Sequence, residues 1–159
     1  MDKRLIFIFT LFVSFFNDGY SKDTIQFISD KKPIIEILIN GNKYNMLIDT
    51  GSSINILCKE VVKNENMRLR TMYAGDLYSA TTKIKARHVD NADININNIN
   101  IYQFIMFDIE SVRESILQST GIKIAGILGT PAIKELKMVI DLSRGIVTIN
   151  KNDVAQADN

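Results

Sequence analysis

Cysteine and histidine are almost missing from this chain: Cys58 and His88 stand alone among 159 residues. One cysteine excludes an intramolecular disulfide. Its apolar neighbours Ile56 and Leu57 point to a buried core thiol rather than a reactive one. One histidine excludes metal sites of the H-E-x-x-H kind. A serine–histidine triad would have to recruit His88, and the chain holds no G-x-S-x-G elbow to serve it. Net charge is also scarce. At +1 the balance argues against a dedicated nucleic-acid surface, which is normally strongly basic. Gly121 and Gly126 have the spacing of a phosphate loop, but Ile127 stands where the lysine is required, so a nucleotide site is rejected.

Long apolar runs are equally scarce. The single candidate, Leu5 to Phe16, is broken by Thr10 and Ser14 and follows Lys3-Arg4. It falls short of the roughly 20 residues that span a bilayer comfortably. A basic start, an apolar stretch and polar residues from Asn17 have the layout of a secretory signal. Gly19 and Ser21 are the small residues for a cut after Ser21, with an uncleaved membrane anchor as the alternative, because no A-x-A is present. The expectation is an exported protein, periplasmic or secreted, or a membrane-anchored one. The expected division is signal or anchor over 1–21, one folded domain over 22–149 and a polar tail over 150–159.

What is present suits one folded domain: 46% hydrophobic and 23% charged residues support a core and exclude compositional disorder. Pro33 opens the β-branched run Ile34 to Ile39, Asn40-Gly41 is a turn signal, and Tyr44 to Ile48 is a second apolar run. This predicts a β-hairpin. Ile54 to Leu57 resumes an extended course, and Lys59 to Asn66 predicts one short helix. From 68 to 107 period-two alternation predicts a series of strands, with a turn at Asn97-Asn98 and a buried strand over Tyr102 to Phe107. Val112, Ile116 and Leu117 have helical spacing within Asp108 to Gly121. Gly126-Ile127-Leu128-Gly129 predicts a short strand, and Thr130-Pro131 a helix start with threonine as N-cap and proline first in the helix. Met138 to Asp141 and Ile146 to Ile149 complete a last hairpin. Many short strands with one or two short helices make a mostly β domain, a small closed β-barrel.

The most informative residues end the second strand of the first hairpin. Met46-Leu47-Ile48 runs into Asp49-Thr50-Gly51-Ser52-Ser53. A carboxylate at the end of a buried strand is costly unless it is hydrogen-bonded or does chemistry. An ordinary turn also uses Asp and Gly. The second motif, Ile127-Leu128-Gly129, lies about eighty residues on and favours the chemical reading.

Together the two motifs resemble the retropepsin-like aspartic proteases, and the resemblance extends from about Ile34 to Ile149. It implies peptide hydrolysis by two carboxylates that share a proton and hold a water between them. No metal or cofactor is implied. The chain has a single D-[ST]-G, so the second Asp49 must come from another copy, and a two-fold homodimer acting on an extended polypeptide follows. The resemblance assigns Asp49 to catalysis, Thr50 to a hydrogen bond across the axis, Gly51 to an N–H near the carboxylates, and Ser52 to a bond with the outer carboxylate oxygen. It assigns Gly129 to tight packing behind the loop. A flap covering the substrate falls on Tyr73, Ala74, Gly75 and Tyr78.

Two further features have simpler readings. Asp141 precedes Leu142-Ser143-Arg144-Gly145 and is expected to bond that turn. Lys83, Lys85 and Arg87 alternate as the solvated face of a strand. The alternatives in function are a peptide-binding module on the same fold without catalysis, and a structural envelope protein held by its N-terminal segment.

Overall fold

The computed structural model describes residues 22–71, 77–78, 83–84 and 86–150. The first hairpin forms as its sequence dictates. Strand β2 (Ile34–Ile39) pairs antiparallel with β3 (Asn42–Ile48), Ile34 facing Leu47 and Ile39 facing Asn42. Asn40 and Gly41 both have positive φ, 49° and 81°, the backbone that a two-residue hairpin turn requires.

A carboxylate clamps this hairpin from outside. Helix α1 (Lys59–Asn64) ends at Glu65, whose carboxylate accepts from Tyr44 Oη at 2.6 Å and from the Asn42 and Asn40 amides at 3.1 and 3.3 Å. The bond to Tyr44 holds the Glu65 carboxyl below its usual range. In return the bond to Glu65, aided by burial, pushes the Tyr44 phenol up to about 12. An unfolded tyrosine ionises near ~10. The folded chain therefore binds more protons than the unfolded one between those values, so the stabilisation is complete below pH ~10 and lost as pH rises toward 12. After a discount for solvent screening, Tyr44→Phe should remove about 1–2 kcal/mol of this alkaline loss. Urea titrations at pH 9 and pH 11.5 measure it. Parallel pH profiles for the two proteins would remove the clamp from the account.

The remaining strands are β1 (Lys22–Gln26), β4 (Asn55–Leu57), β5 (Arg68–Thr71), β6 (Leu77–Tyr78), β7 (Lys83–Ile84), β8 (Arg87–Asp90), β9 (Ile94–Ile96), β10 (Ile99–Asn100), β11 (Phe104–Met106), β12 (Gly126–Leu128), β13 (Val139–Asp141) and β14 (Ile146–Asn150). Seven of them join β2 and β3 in one nine-stranded sheet of order β10-β9-β2-β3-β12-β4-β11-β8-β5. This sheet curls into a half-barrel around a core of Ile35, Ile37, Met46, Ile48, Leu57, Phe104 and Leu128. A three-stranded sheet, β1-β14-β13, adds Val147 and Ile149 to the same core. The β6–β7 pair stands apart, Tyr78 opposite Lys83. Cys58 is buried, as its neighbours foretold.

Three local expectations change. The strand expected over Tyr102 to Phe107 shortens to β11, because Gln103 has φ 61° and Tyr102 is 60% exposed. Asn150 belongs to β14 and pairs with Lys22, so the polar tail begins after it. Residues 1–21 and 151–159, and with them the signal or anchor and the tail, lie outside the described residues. In helix α3 (Thr130–Glu135) Gly129 is the N-cap and Thr130 the first helical residue, so threonine does not cap and proline stands second.

The helical spacing within Asp108 to Gly121 is borne out by helix α2 (Glu110–Thr120), which ends on Gly121 with φ 74°. Val112 and Leu117 are exposed at its flanks, and the buried positions are Arg113 and Ile116. The Arg113 guanidinium meets Glu110 and, at 2.6 Å, Glu60, while its Nε donates to Ile124 O at 3.0 Å. Burial works against its charge, but the two carboxylates more than restore it and its pKa is raised. Lys123 adds a 2.9 Å bond to Glu60. One arginine thus ties α1, α2 and the approach to β12 together.

Candidate active site

The order β3-β12-β4 decides what the Asp49 loop is. A hairpin turn would place β3 and β4 side by side. Here β12 lies between them, parallel to β3 and antiparallel to β4. Ile127 pairs with Leu47 on one side and Ile56 on the other. The loop 49–54 therefore bridges over the end of an inserted strand rather than joining two paired strands as a hairpin turn.

Insertion of a third strand needs room, and Gly126 in β12 and Gly129 directly after it provide it. A Cβ on Gly126 would lie 1.9 Å from Ile56 O, and one on Gly129 would lie 2.2 Å from Ile54 O and 2.8 Å from Ser52 O. Both contacts are with backbone, so a rotamer change cannot relieve them.

The loop is fixed at both ends. Asp49 N–H donates to Leu128 O at 3.0 Å, and Ser52 N–H donates to Asp49 O at 3.2 Å. At the far side Ser52 O accepts from Thr130 N at 2.8 Å and from Thr130 Oγ1 at 3.1 Å. The Asp49 side chain is half-buried, and its Oδ1 accepts from Gly51 N–H at 2.8 Å. Gly51 and Thr50 are exposed beside it. The Ser52 hydroxyl does not reach the carboxylate: it donates to Ile54 O at 2.8 Å and braces the loop instead. Among the described residues no hydrogen bond or ion pair joins Asp49 to a second carboxylate, and no group of three or more metal-ligating side chains occurs.

Of the flap residues, Tyr78 lies in β6, and Tyr73, Ala74 and Gly75 lie outside the described residues. Asp141 behaves as expected. Its carboxylate accepts from Ser143 Oγ at 2.6 Å and Arg144 N–H at 3.0 Å, and these bonds hold it below the usual carboxylate range.

Sequence reasoning missed Asn55. It is fully buried in β4, where its Oδ1 accepts from Gly129 N–H at 3.0 Å and Ala132 N–H at 3.3 Å. Its Nδ2 donates to Tyr102 O at 3.2 Å. One side chain thus caps α3 from a distant strand and joins it to the segment before β11. A buried amide donor or acceptor left without a partner costs about 1–3 kcal/mol. Asn55→Leu keeps the size, orphans these groups, and should lower stability by about 2–4 kcal/mol. Urea unfolding should show a lower midpoint at unchanged slope. A loss below the resolution of that measurement would mean that Asn55 does not hold the loop.

Residues 35–132, more than half of the chain, match the aspartyl protease family, and the chain belongs to that family. In fold it is similar to a retropepsin-like aspartic protease from Rickettsia conorii, with a TM-score of 0.55 at 18% identity over 81% of this chain and 89% of that one. It is also similar to the EIAV protease complexed with the inhibitor HBY-793, with a TM-score of 0.50 at 16% identity over 69% and 92% of the two chains. The fold is thus of the retropepsin-like kind. A comparison with curated proteins gives no match.

Proposed function

We propose that the chain is an aspartic endopeptidase whose active form is a homodimer, with the two Asp49 side chains meeting at the two-fold axis. The observation that carries this is the geometry of one carboxylate per chain. Asp49 is set at the end of a glycine-packed strand triplet, half-exposed, with Gly51 N–H on one oxygen. Such a group alone is a poor catalyst for peptide hydrolysis. Paired at about 3 Å with its twin it cannot be ionised twice, so the dyad holds one proton. One carboxylate then takes a proton from a water, and the other donates a hydrogen bond to the scissile carbonyl. Thr50, exposed at the loop tip, would bond the partner's loop across the axis. The substrate is an extended polypeptide. The N-terminal segment directs export or anchors the protease at a membrane.

Subunit mixing tests the dimer and the chemistry at once. If each centre needs two Asp49 residues, an excess of Asp49→Asn chains should draw wild-type chains into inactive mixed pairs and suppress activity in proportion to their occupancy. Activity that stays proportional to wild-type chain however much Asp49→Asn protein is added would place a complete site in one subunit. The rival reading, a peptide-binding module, predicts saturable binding of peptides to a stable monomer without cleavage.

A further inference from the structure

Away from Asp49, beside helix α1, lies a cavity of about 730 Å³. Its floor is Val62, Met67, Leu69 and Met106, and its rim carries Lys59, Lys63, Arg87, Asn66 and Asp108. The register explains the floor. Met106 opposes Arg87, and Leu69 opposes Val89 two residues further along β8, so Leu69, Arg87 and Met106 share one face of the β5-β8-β11 ribbon. Val62 and Met67 are buried beneath, while Leu69 and Met106 stay half-buried and open to the cavity.

The rim is unbalanced. Lys59, Lys63 and Arg87 are exposed, and among the described residues none of them is in an ion pair. The single acid, Asp108, is engaged, its Oδ1 accepting from Glu110 N–H at 3.1 Å at the start of α2. Arg87 is exposed on its strand, as expected, and also borders the apolar floor. The volume falls within the range of small-molecule sites, which join an apolar lining to a few placed polar groups. Methionine floors adapt to flexible apolar chains, and a guanidinium pairs with a carboxylate through two parallel hydrogen bonds.

We infer that this cavity binds a single-chain anionic amphiphile of the fatty-carboxylate class, its chain against Met67, Leu69 and Met106 and its carboxylate among Lys59, Lys63 and Arg87. The site is separate from the hydrolytic centre, and its test does not involve peptide cleavage.

Calorimetric titration of the full chain with monomeric dodecanoate, below its micelle concentration, should show one saturable site. Decanoate should bind more weakly, by up to about fifteenfold for the two missing methylenes. Acetate, the anion without a chain, should show no binding, and dodecyltrimethylammonium should bind at least tenfold more weakly than dodecanoate. The combined variant Lys59→Glu, Lys63→Glu and Arg87→Glu changes exposed residues alone. It should weaken dodecanoate at least tenfold and bind the cationic amphiphile more tightly than the wild type does, an inversion that a misfolded chain would not give. Three results would overturn the inference: no saturable site, equal affinity for the two signs of head group, or dodecanoate affinity unchanged in the triple variant. Binding to phosphatidylglycerol vesicles without binding of monomeric dodecanoate would also overturn it, because the ligand would then be a membrane surface.

Discussion

Asp49→Asn should lower peptide hydrolysis by at least ~10³-fold while the chain keeps its fold and the proposed homodimer still forms. General-base assistance is typically worth 10²–10⁴-fold, and in a symmetric dimer one substitution removes both members of the dyad. The fold should survive because the groups that set the loop are backbone: Asp49 N–H to Leu128 O, and Thr130 to Ser52 O. The side chain's one bond, from Gly51 N–H to Oδ1, can be accepted equally by an asparagine Oδ1. Stability should therefore change by less than about 1 kcal/mol. The measurements are hydrolysis of an unstructured polypeptide, sedimentation of the variant, and its urea midpoint. Retained hydrolysis in a folded variant would sink the mechanism. Loss of activity together with dissociation would show that Asp49 contributes to assembly, and the chemical role would then need a variant that stays paired.

How much of this was legible beforehand depended on how local each signal was. The β2–β3 hairpin could be read because Pro33, alternating isoleucines and Asn40-Gly41 all lie within sixteen residues of one another and agree. Asp49 and Gly129 could be read because a carboxylate at a strand end and a glycine after an apolar strand are each out of place without a purpose. Strand β1 could not. Lys22–Gln26 carries one aliphatic residue, and it is extended because β14 pairs with it from Ile146 to Asn150. Asn55 was hidden for the same reason. Between Ile54 and Ile56 it has the period of a solvent-facing residue, yet its three partners are Tyr102, Gly129 and Ala132, brought to it by the strand order. On α2 the spacing of Val112, Ile116 and Leu117 marked the helix but not its buried face, because Arg113 takes a buried position and the Glu60 carboxylate that makes this tolerable lies 53 residues earlier. Charge pairing across elements overrode the apolar pattern within one.

Among the described glycines, Gly126→Ala should be the most damaging added methyl group. The glycine is buried where β12 is paired on both sides, with Met46 of β3 and Leu57 of β4. An added Cβ would sit 1.9 Å from Ile56 O and 2.9 Å from the Met46 methyl. The methionine tip can swing aside, but the carbonyl belongs to a strand held by β12 and β11 together, so relief requires spreading the sheet. Overpacking of this kind costs about 1–3 kcal/mol where side chains can yield, and more than ~3 kcal/mol is expected where the obstacle is backbone. Against a total stability on the order of 5–15 kcal/mol, that moves the chain close to unfolding. Gly41→Ala provides the contrast. It has open space around it and an unfavourable φ of 81°, so its cost is conformational, about 1–2 kcal/mol. Urea unfolding of the two variants separates the effects, because Gly126→Ala should lose at least twice as much as Gly41→Ala. Because the same strand sets the loop through Leu128 O, Gly126→Ala should also reduce hydrolysis in whatever fraction remains folded. If Gly126→Ala proves no worse than Gly41→Ala, the inserted strand is not packed as tightly as the glycines indicate, and the placement of Asp49 loses its physical basis.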